Sequence, residues 1–418
     1  MTALARSRRN ERGFTLVELL VAVVAGLFVV LAAFLLSKGS TKLFADENRV
    51  GTAQLNLRLG LDRLRSDLAR AGFMTSPNVA TDPDVCPDPN KSGFIARLQS
   101  VYYERGGSYL GTKAGSDLNG LSPDAITLTG NFAGTDSYLA SSVETSAAGG
   151  YDVFLQRNFG AMQRLLSAGD SGTTQSVLDA TFPAGKVIRI QNPLGSSQFM
   201  VIDTVAMAST VGGDAPKIHL RVTPTLRTVI VGNPDKRCGI TGYGLGSTVN
   251  SVQFVKYDLR NLSTLAPWAY PDPVADAIKY DLIRTELNPD GSEITTAPVP
   301  TSIVAEYVVD MKFAFTIDEG TVSGGLYREP LLKAYPFDDA AGVAAASDIL
   351  AGGGTAKPQR IRSIRFQITT RGREPDRSTS IGATGTGLLR YAVAPNQYAR
   401  ARTDVGEITL VNQRSIQW

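Results

Sequence analysis

From Leu19 to Leu36 the chain runs eighteen residues without a charge, every one apolar or glycine. At 1.5 Å per residue that is about 27 Å of helix, and about 35 Å from Phe14, enough to cross a bilayer core. No other stretch limits the fold as strongly. Arg6, Arg8, Arg9 and Arg12 precede the run and only Lys38 and Lys42 follow closely, so the positive-inside bias keeps residues 1–13 cytoplasmic and sends the rest across. Glu18 stands at the mouth of the span. A carboxylate there costs roughly 3 kcal/mol unless it is paired, so a plain anchor has no use for it. An ordinary secretory signal has a shorter apolar core and a small-residue cleavage site behind it, not an acid in front.

The order of parts is specific: a basic segment, then Arg12-Gly13-Phe14-Thr15-Leu16-Val17-Glu18, then the span. It resembles the N-terminus of the type IV pilin superfamily. The resemblance implies that a membrane peptidase cuts between Gly13 and Phe14 and methylates the new N-terminus on Phe14. It also implies that Glu18 pairs with that amine, in its own or a neighbouring subunit, during assembly. The implied fold is α+β, a long helical spine with a β-rich head that carries an antiparallel sheet. Residues 14–36 would be the transmembrane and filament-core helix, 37–72 its amphipathic continuation, 73–250 an elaborated loop-and-strand lobe, and 251–418 the antiparallel sheet of the head. Ile303–Phe313 (IVAEYVVDMKF), Arg360–Ile368 (RIRSIRFQI) and Glu407–Arg414 (EITLVNQR) look like PilW-type minor pilins. Such a pilin is a structural subunit and not an enzyme: it primes pilus assembly and stays near the tip. Its partners would be other minor pilins, the major pilin, the inner-membrane assembly platform and a tip adhesin, with no cofactor. The head would be periplasmic before assembly and extracellular after it. Two alternatives share these parts: a J-type pseudopilin of type II secretion, and a membrane-tethered adhesin or DNA-binding module built on the middle lobe. Leu35 departs from major pilins, which usually carry a helix-breaking proline there.

The chain holds 42 basic and 39 acidic side chains; residues 1–13 take four arginines and one glutamate, which leaves 38 of each. The mature protein is thus neutral and has no overall electrostatic footprint for nucleic acid. About 345 residues beyond the helix are more than one core usually organises. Cys86 and Cys238 are the two cysteines. In an oxidising compartment they are expected to form a disulfide, two free thiols being the alternative.

Leu57, Leu61, Leu64, Leu68 and Ala71 recur at helical spacing, which predicts core packing against the head, and Gly72 is placed to end the helix. Arg58/Asp62 and Arg63/Asp67 fall four apart on the expected polar side, and Gly26, Gly51 and Gly60 are weak points. Strands are expected over 125–129, 151–156, 186–191, 198–205 and 217–222. Stronger ones follow over 251–259, 279–287, 309–317 and 360–370, which would share one sheet, with a turn at Asn288-Pro289-Asp290-Gly291. Met311, Phe313, Phe315 and Ile317 alternate with Lys312, Ala314, Thr316 and Asp318, predicting one buried and one wet face.

Other chemistry is thin. Gly169-Asp170-Ser171-Gly172 imitates a serine-protease motif, but the single histidine, His219, lies downstream of the serine and reads as a solvent-side strand residue. No zinc site can be assembled from one histidine and two paired cysteines. Asp82, Asp84 and Asp88 lack the glycine and distal glutamate of a calcium loop and read as a solvated turn. Gly382–Gly387 lacks the context of a nucleotide loop. Lys357, Arg360, Arg362, Arg365, Arg371, Arg373 and Arg377 form the one basic cluster; it reads as a solvated strand with ion pairs to Glu374 or Asp376.

Overall fold

The computed structural model describes residues 15–86, 98–106, 119–167, 174–210, 213–222, 238–262, 279–294, 301–320, 322–323, 326–327, 330–342, 357–373, 375 and 390–413. The chain divides into two units, Met1–Leu55 and Asn56–Trp418, and one helix, α1 (Leu16–Arg70), contributes to both. No proline interrupts it.

In the second unit the order is β1 (Val101–Glu104), β2 (Ala125–Gly130), β3 (Tyr138–Thr145), β4 (Tyr151–Leu155), α2 (Gly160–Ser167), α3 (Thr174–Thr181), β5 (Val187–Gln191), β6 (Ser197–Thr210), β7 (Gly213–Leu220), β8 (Thr248–Arg260), β9 (Asp281–Leu287), β10 (Thr301–Ala305), β11 (Val308–Asp318), β12 (Val322–Ser323), β13 (Leu326–Tyr327), β14 (Leu332–Ala334), β15 (Ile361–Arg371), β16 (Arg390–Ala394) and β17 (Gln397–Thr409). The architecture is α+β, with every strand ladder among the described residues antiparallel.

The leucine stripe of α1 is core. Leu57, Leu61, Leu64, Leu68 and Ala71 are buried with Tyr103, Ile126, Leu128, Val255 and Tyr257 from one sheet and Met311, Phe313, Phe315, Ile364 and Phe366 from another. The sheets also touch directly, Tyr103 meeting Phe315 edge-on at 5.2 Å. Gly72 adopts a left-handed φ of 77° and its N–H donates to Thr129 O at 2.9 Å. The last helical carbonyls, which have no partner inside a helix, are met from far along the chain: Asn412 Nδ2 donates to Ala69 O (3.0 Å) and Ala71 O (3.1 Å).

Two expectations for α1 are corrected. Asp67 is buried, not on a polar face; it accepts from Tyr257 Oη and Arg284 Nε, both at 2.7 Å, while Arg63 stands 3.8 Å away. It falls beside Leu64 and Leu68 on the packed face, where β8 and β9 supply donors that desolvation makes necessary. Gly60 is a point of close approach: a Cβ there would lie 2.4 Å from Val304 O on β10.

The sheets differ from expectation too. β11 and β15 belong to a five-stranded sheet in the order β14-β11-β15-β17-β16, whereas β8 and β9 join a ten-stranded one. β8 is long enough to serve two neighbourhoods. Its residues 253–260 pair with β2 and β9, and its residues 248–252 pair with β5 and, at the very start, β3. From there the ladders run β3–β4, β4–β7, β7–β6 and β6–β5, and β5 returns to β8. The middle lobe is therefore a closed ring of six strands. Its alternating inward residues, among them Tyr151, Val153, Ile188, Ile190, Met200, Ile202, Ile218, Leu220 and Val249, form a second core with Leu178 and Phe182. Each of the six strands has a ladder on both sides over part of its length, which is how a lobe rich in glycine and polar residues pairs much of its backbone.

On β11 the wet face is only partly wet: Ala314 and Asp318 are buried beside the expected core residues, Asp318 pairing with Arg362 at 3.1 Å. The turn after β9 forms as expected, with Gly291 at φ 83° and its N–H donating to Asn288 O at 2.9 Å.

Candidate functional site

Gly13 and Phe14 lie outside the described residues, so the site is built from Thr15 onward. Thr15 precedes the first helical residue and Glu18 lies in the first turn. Glu18 N donates to Thr15 Oγ1 (3.3 Å), while Thr15 N (3.2 Å) and Thr15 Oγ1 (3.1 Å) donate to Glu18 Oε2. This reciprocal capping box satisfies N–H groups that a helix start leaves open, and places the carboxylate against the positive end of the helix dipole. Its sequence signal, Thr-x-x-Glu ahead of an apolar run, was present; the partner role of Thr15 was not read from it. Beyond it, Leu16–Thr41 is long and apolar enough to cross a membrane, and the large apolar side chains from Leu16 to Leu36 are exposed.

Residues 8–34 match the family model of the prokaryotic N-terminal methylation motif. The chain carries a prokaryotic N-terminal methylation motif. Among solved structures, a type IV-like pilin from Thermus thermophilus is similar over 61% of this chain and 99% of its own, at 11% identity and a TM-score of 0.18. No curated protein sequence matches.

In the second unit, Cys86 and Cys238 are joined by a disulfide, with Cα atoms 5.7 Å apart. Both are buried at the core of the six-stranded ring, and Cys86 Sγ lies 2.9 Å from Tyr243 Oη. The segment before Cys86 is a turn in which Asp84 is exposed, as expected, but Asp82 is not. Asp82 is buried and accepts from Ser76 Oγ (2.5 Å) and Asp84 N (2.8 Å), and Val85 bridges to Ser197 on β6. Asp88 lies outside the described residues, as do Gly169–Gly172 and Gly382–Gly387. Among the described residues no group of three or more His, Cys, Asp or Glu side chains is placed to hold a metal.

His219 is corrected from a solvent-side residue to a paired one. Its Nδ1 stands 2.6 Å from Asp152 Oδ1 across β4 and β7, and Lys217 approaches the same carboxylate at 3.6 Å. The basic cluster is corrected as well. Arg360 and Arg371 are buried, Arg360 donating to Gly320 O and Arg371 lying over the rings of Tyr307 (5.0 Å) and Tyr391 (5.8 Å). Arg362 pairs with Asp318, and Arg365 donates to Tyr335 O and faces Phe337. The proposed acids, Glu374 and Asp376, and Arg377 lie outside the described residues. These guanidinium groups fasten strands together and are not laid out to meet phosphates.

One charged cluster had no signal in the sequence, because its members are distant in the chain. Asp124 accepts from Tyr103 Oη (2.7 Å), Gly106 N (3.0 Å) and Phe313 N (3.2 Å); Lys312 Nζ donates to Ser122 O (2.8 Å) and Asp338 Oδ1 (2.9 Å). Asp310, two residues from Lys312 on β11, is buried and its Oδ1 has no hydrogen-bond partner among the described residues. Burial pushes its carboxyl up to about 6; Lys312 opposes the rise, and Asp124 and Asp338 add to it. Lys312 already fills the cation position, so the cluster reads as internal support.

Proposed function

We propose that this chain is a PilW-type minor pilin of a type IV pilus, cut after Gly13, methylated on Phe14, and retained at or near the filament tip. The observation that carries the reading is the methylation motif over residues 8–34 running directly into an exposed apolar helix. Glu18 supplies the assembly charge. In the uncombined chain its carboxylate is engaged by Thr15, one residue from the amine that cleavage would create, so exchange to that amine needs only a local rearrangement. Bulk supports the minor role. A compact head of about 345 residues has a radius of gyration near 20 Å, hence a width of about 50 Å. Packed helices stand about 8 to 10 Å apart. Heads this wide would collide if every spine in a filament core carried one, whereas a few at an end can splay. Other minor pilins, the major pilin, the assembly platform and a tip adhesin are the partners of this reading.

Intact-mass and N-terminal analysis of the mature protein tests it. A chain starting at singly methylated Phe14 is expected; any other start contradicts it. Glu18→Ala is expected to leave the chain in the membrane and deplete it from sheared filaments. If deleting the gene abolished protein export and left pili intact, the J-type pseudopilin reading would replace this one.

A further inference from the structure

Asp310 and Lys312 stand two residues apart on β11, opposite Thr369 and Gln367 of β15, and so share one face of the five-stranded sheet. Two segments lie on that face. One ends at Asp124, whose N–H donates to Met311 O (2.8 Å) and so seats it beside the backbone between Asp310 and Lys312. The other is a strap, residues 335–342. Tyr335 N donates to Phe315 O (2.9 Å) at its start, Arg365 donates to Tyr335 O and lies over the ring of Phe337 (5.7 Å), and at Gly342 a Cβ would fall 2.6 Å from Tyr335 Cβ.

Three carboxylates and two cations meet in this corner. Lys312 Nζ donates to Ser122 O (2.8 Å) and Asp338 Oδ1 (2.9 Å) and lies 3.8 Å from Asp124 Oδ1, so its charge is already shared among groups other than Asp310. Arg105 lies 3.8 Å from Asp338. Asp310 is buried; among the described residues it faces Lys312 on its own strand, Asp124 and Asp338 on the two covering segments, and the uncharged Thr369 on β15. With Asp310 protonated the corner holds two negative and two positive charges. Ionised, it holds a third negative charge and no further cation.

The two segments are not equally firm. Asp124 is fully buried and accepts from Tyr103, Gly106 and Phe313. Asp338 is exposed, adopts a left-handed φ of 63° that is uncommon for a residue with a side chain, and is held through its carboxylate by Lys312 and Arg105. The strap is the part that yields.

We propose that Asp310 is a proton-operated latch: while its carboxyl is protonated, residues 335–342 stay closed over β11, and when it ionises they open. Opening lets water reach the new carboxylate and carries Asp338 away from it, which relieves both the desolvation and the like-charge repulsion. Under the strap the carboxyl holds its proton until about 6, burial being the first cause. In the open state it titrates near 4, as a solvated Asp does. The closed state therefore binds more protons in between: closure is strongest below about pH 4, weakens as pH rises to 6, and is weakest above it. Release uncovers Lys312 and Arg365, two cations on one sheet face. The inference concerns the second unit alone and does not depend on what the chain assembles with.

Hydrogen exchange of the full chain in detergent micelles, corrected for the intrinsic rate at each pH, reads the opening. In wild type the opening of residues 332–342 is expected to rise about tenfold from pH 5 to pH 7.5 and to level off above about pH 6, with residues 361–371 unchanged. Asp310→Asn keeps the shape and charge of the protonated carboxyl and is expected to hold the strap equally closed at both pH values. Flat exchange in wild type, a rise with no plateau, the same rise in Asp310→Asn, or an equal rise in residues 361–371 would each overturn the latch. The wild-type plateau decides the matter even if the variant fails to fold.

Discussion

The head has two cores built on different rules, and β8 passes through both. The core around the end of α1 is a helix with strands of two sheets, where leucines at helical spacing meet alternating strand residues. The six-stranded ring instead closes on itself and fills its interior from its own strands and two short helices. The first is fastened by a buried charge, Asp67 with Tyr257 and Arg284, the second by the covalent link between Cys86 and Cys238. An α1-centred core needs its helix in one register, which a buried ion pair enforces. A closed ring tied to a glycine- and polar-rich segment gains more from restricting its unfolded chain.

Removing each fastener is the strongest way to break this contrast. Asp67→Ala leaves the half-buried Arg284 without its carboxylate and the buried Tyr257 without its acceptor, and is expected to cost about 2 to 4 kcal/mol. Hydrogen exchange should then rise in residues 57–70, the second half of β8 and β9, with the ring still protected. The double change Cys86→Ser, Cys238→Ser is expected to cost about 2 to 5 kcal/mol and to show the opposite pattern. Equal loss of protection in both cores for either variant would mean one cooperative unit. Gly60→Ala drives a methyl onto Val304 O and is expected to cost about 1 to 3 kcal/mol in denaturant unfolding, although alanine is the better helix former.

Asp310→Asn sharpens the comparison by pH, since this carboxyl belongs to the α1-centred side of the head. An unfolded Asp titrates near 4, and the folded one holds its proton until about 6. The folded state therefore binds more protons in between. The contribution is full below about pH 4, falls as pH rises through 6, and is absent above it. Asparagine should flatten that fall and raise stability at pH 7 by about 2 kcal/mol. Melting curves at pH 4.5 and 7 check it: a wild-type difference unchanged in the variant would contradict the assignment.

What could be read from the sequence follows from how local each signal is. The span, the leucine stripe and the glycine ending α1 are written within a few turns of helix. Strands 151–156, 186–191 and 309–317 announce themselves by alternation. β3 (YLASSVET) and β17 (QYARARTDVGEIT) were missed because one is small and polar and bulged, and the other carries charges at Arg400, Arg402, Asp404 and Glu407 that break the apolar alternation. Ring closure was out of reach because it depends on β8 meeting β3 and β5, segments far apart in the chain. Asp67 was misplaced for the same reason: i,i+4 spacing finds Arg63, but only the folded sheet brings Tyr257 and Arg284.

The central proposal is that a chain with this two-core head serves as a rare, end-located subunit of a filament. Quantitative mass spectrometry of sheared filaments tests it most directly. Trace copies, enriched with short or tip-bearing fragments, are predicted. A copy number comparable to the most abundant pilin would contradict it.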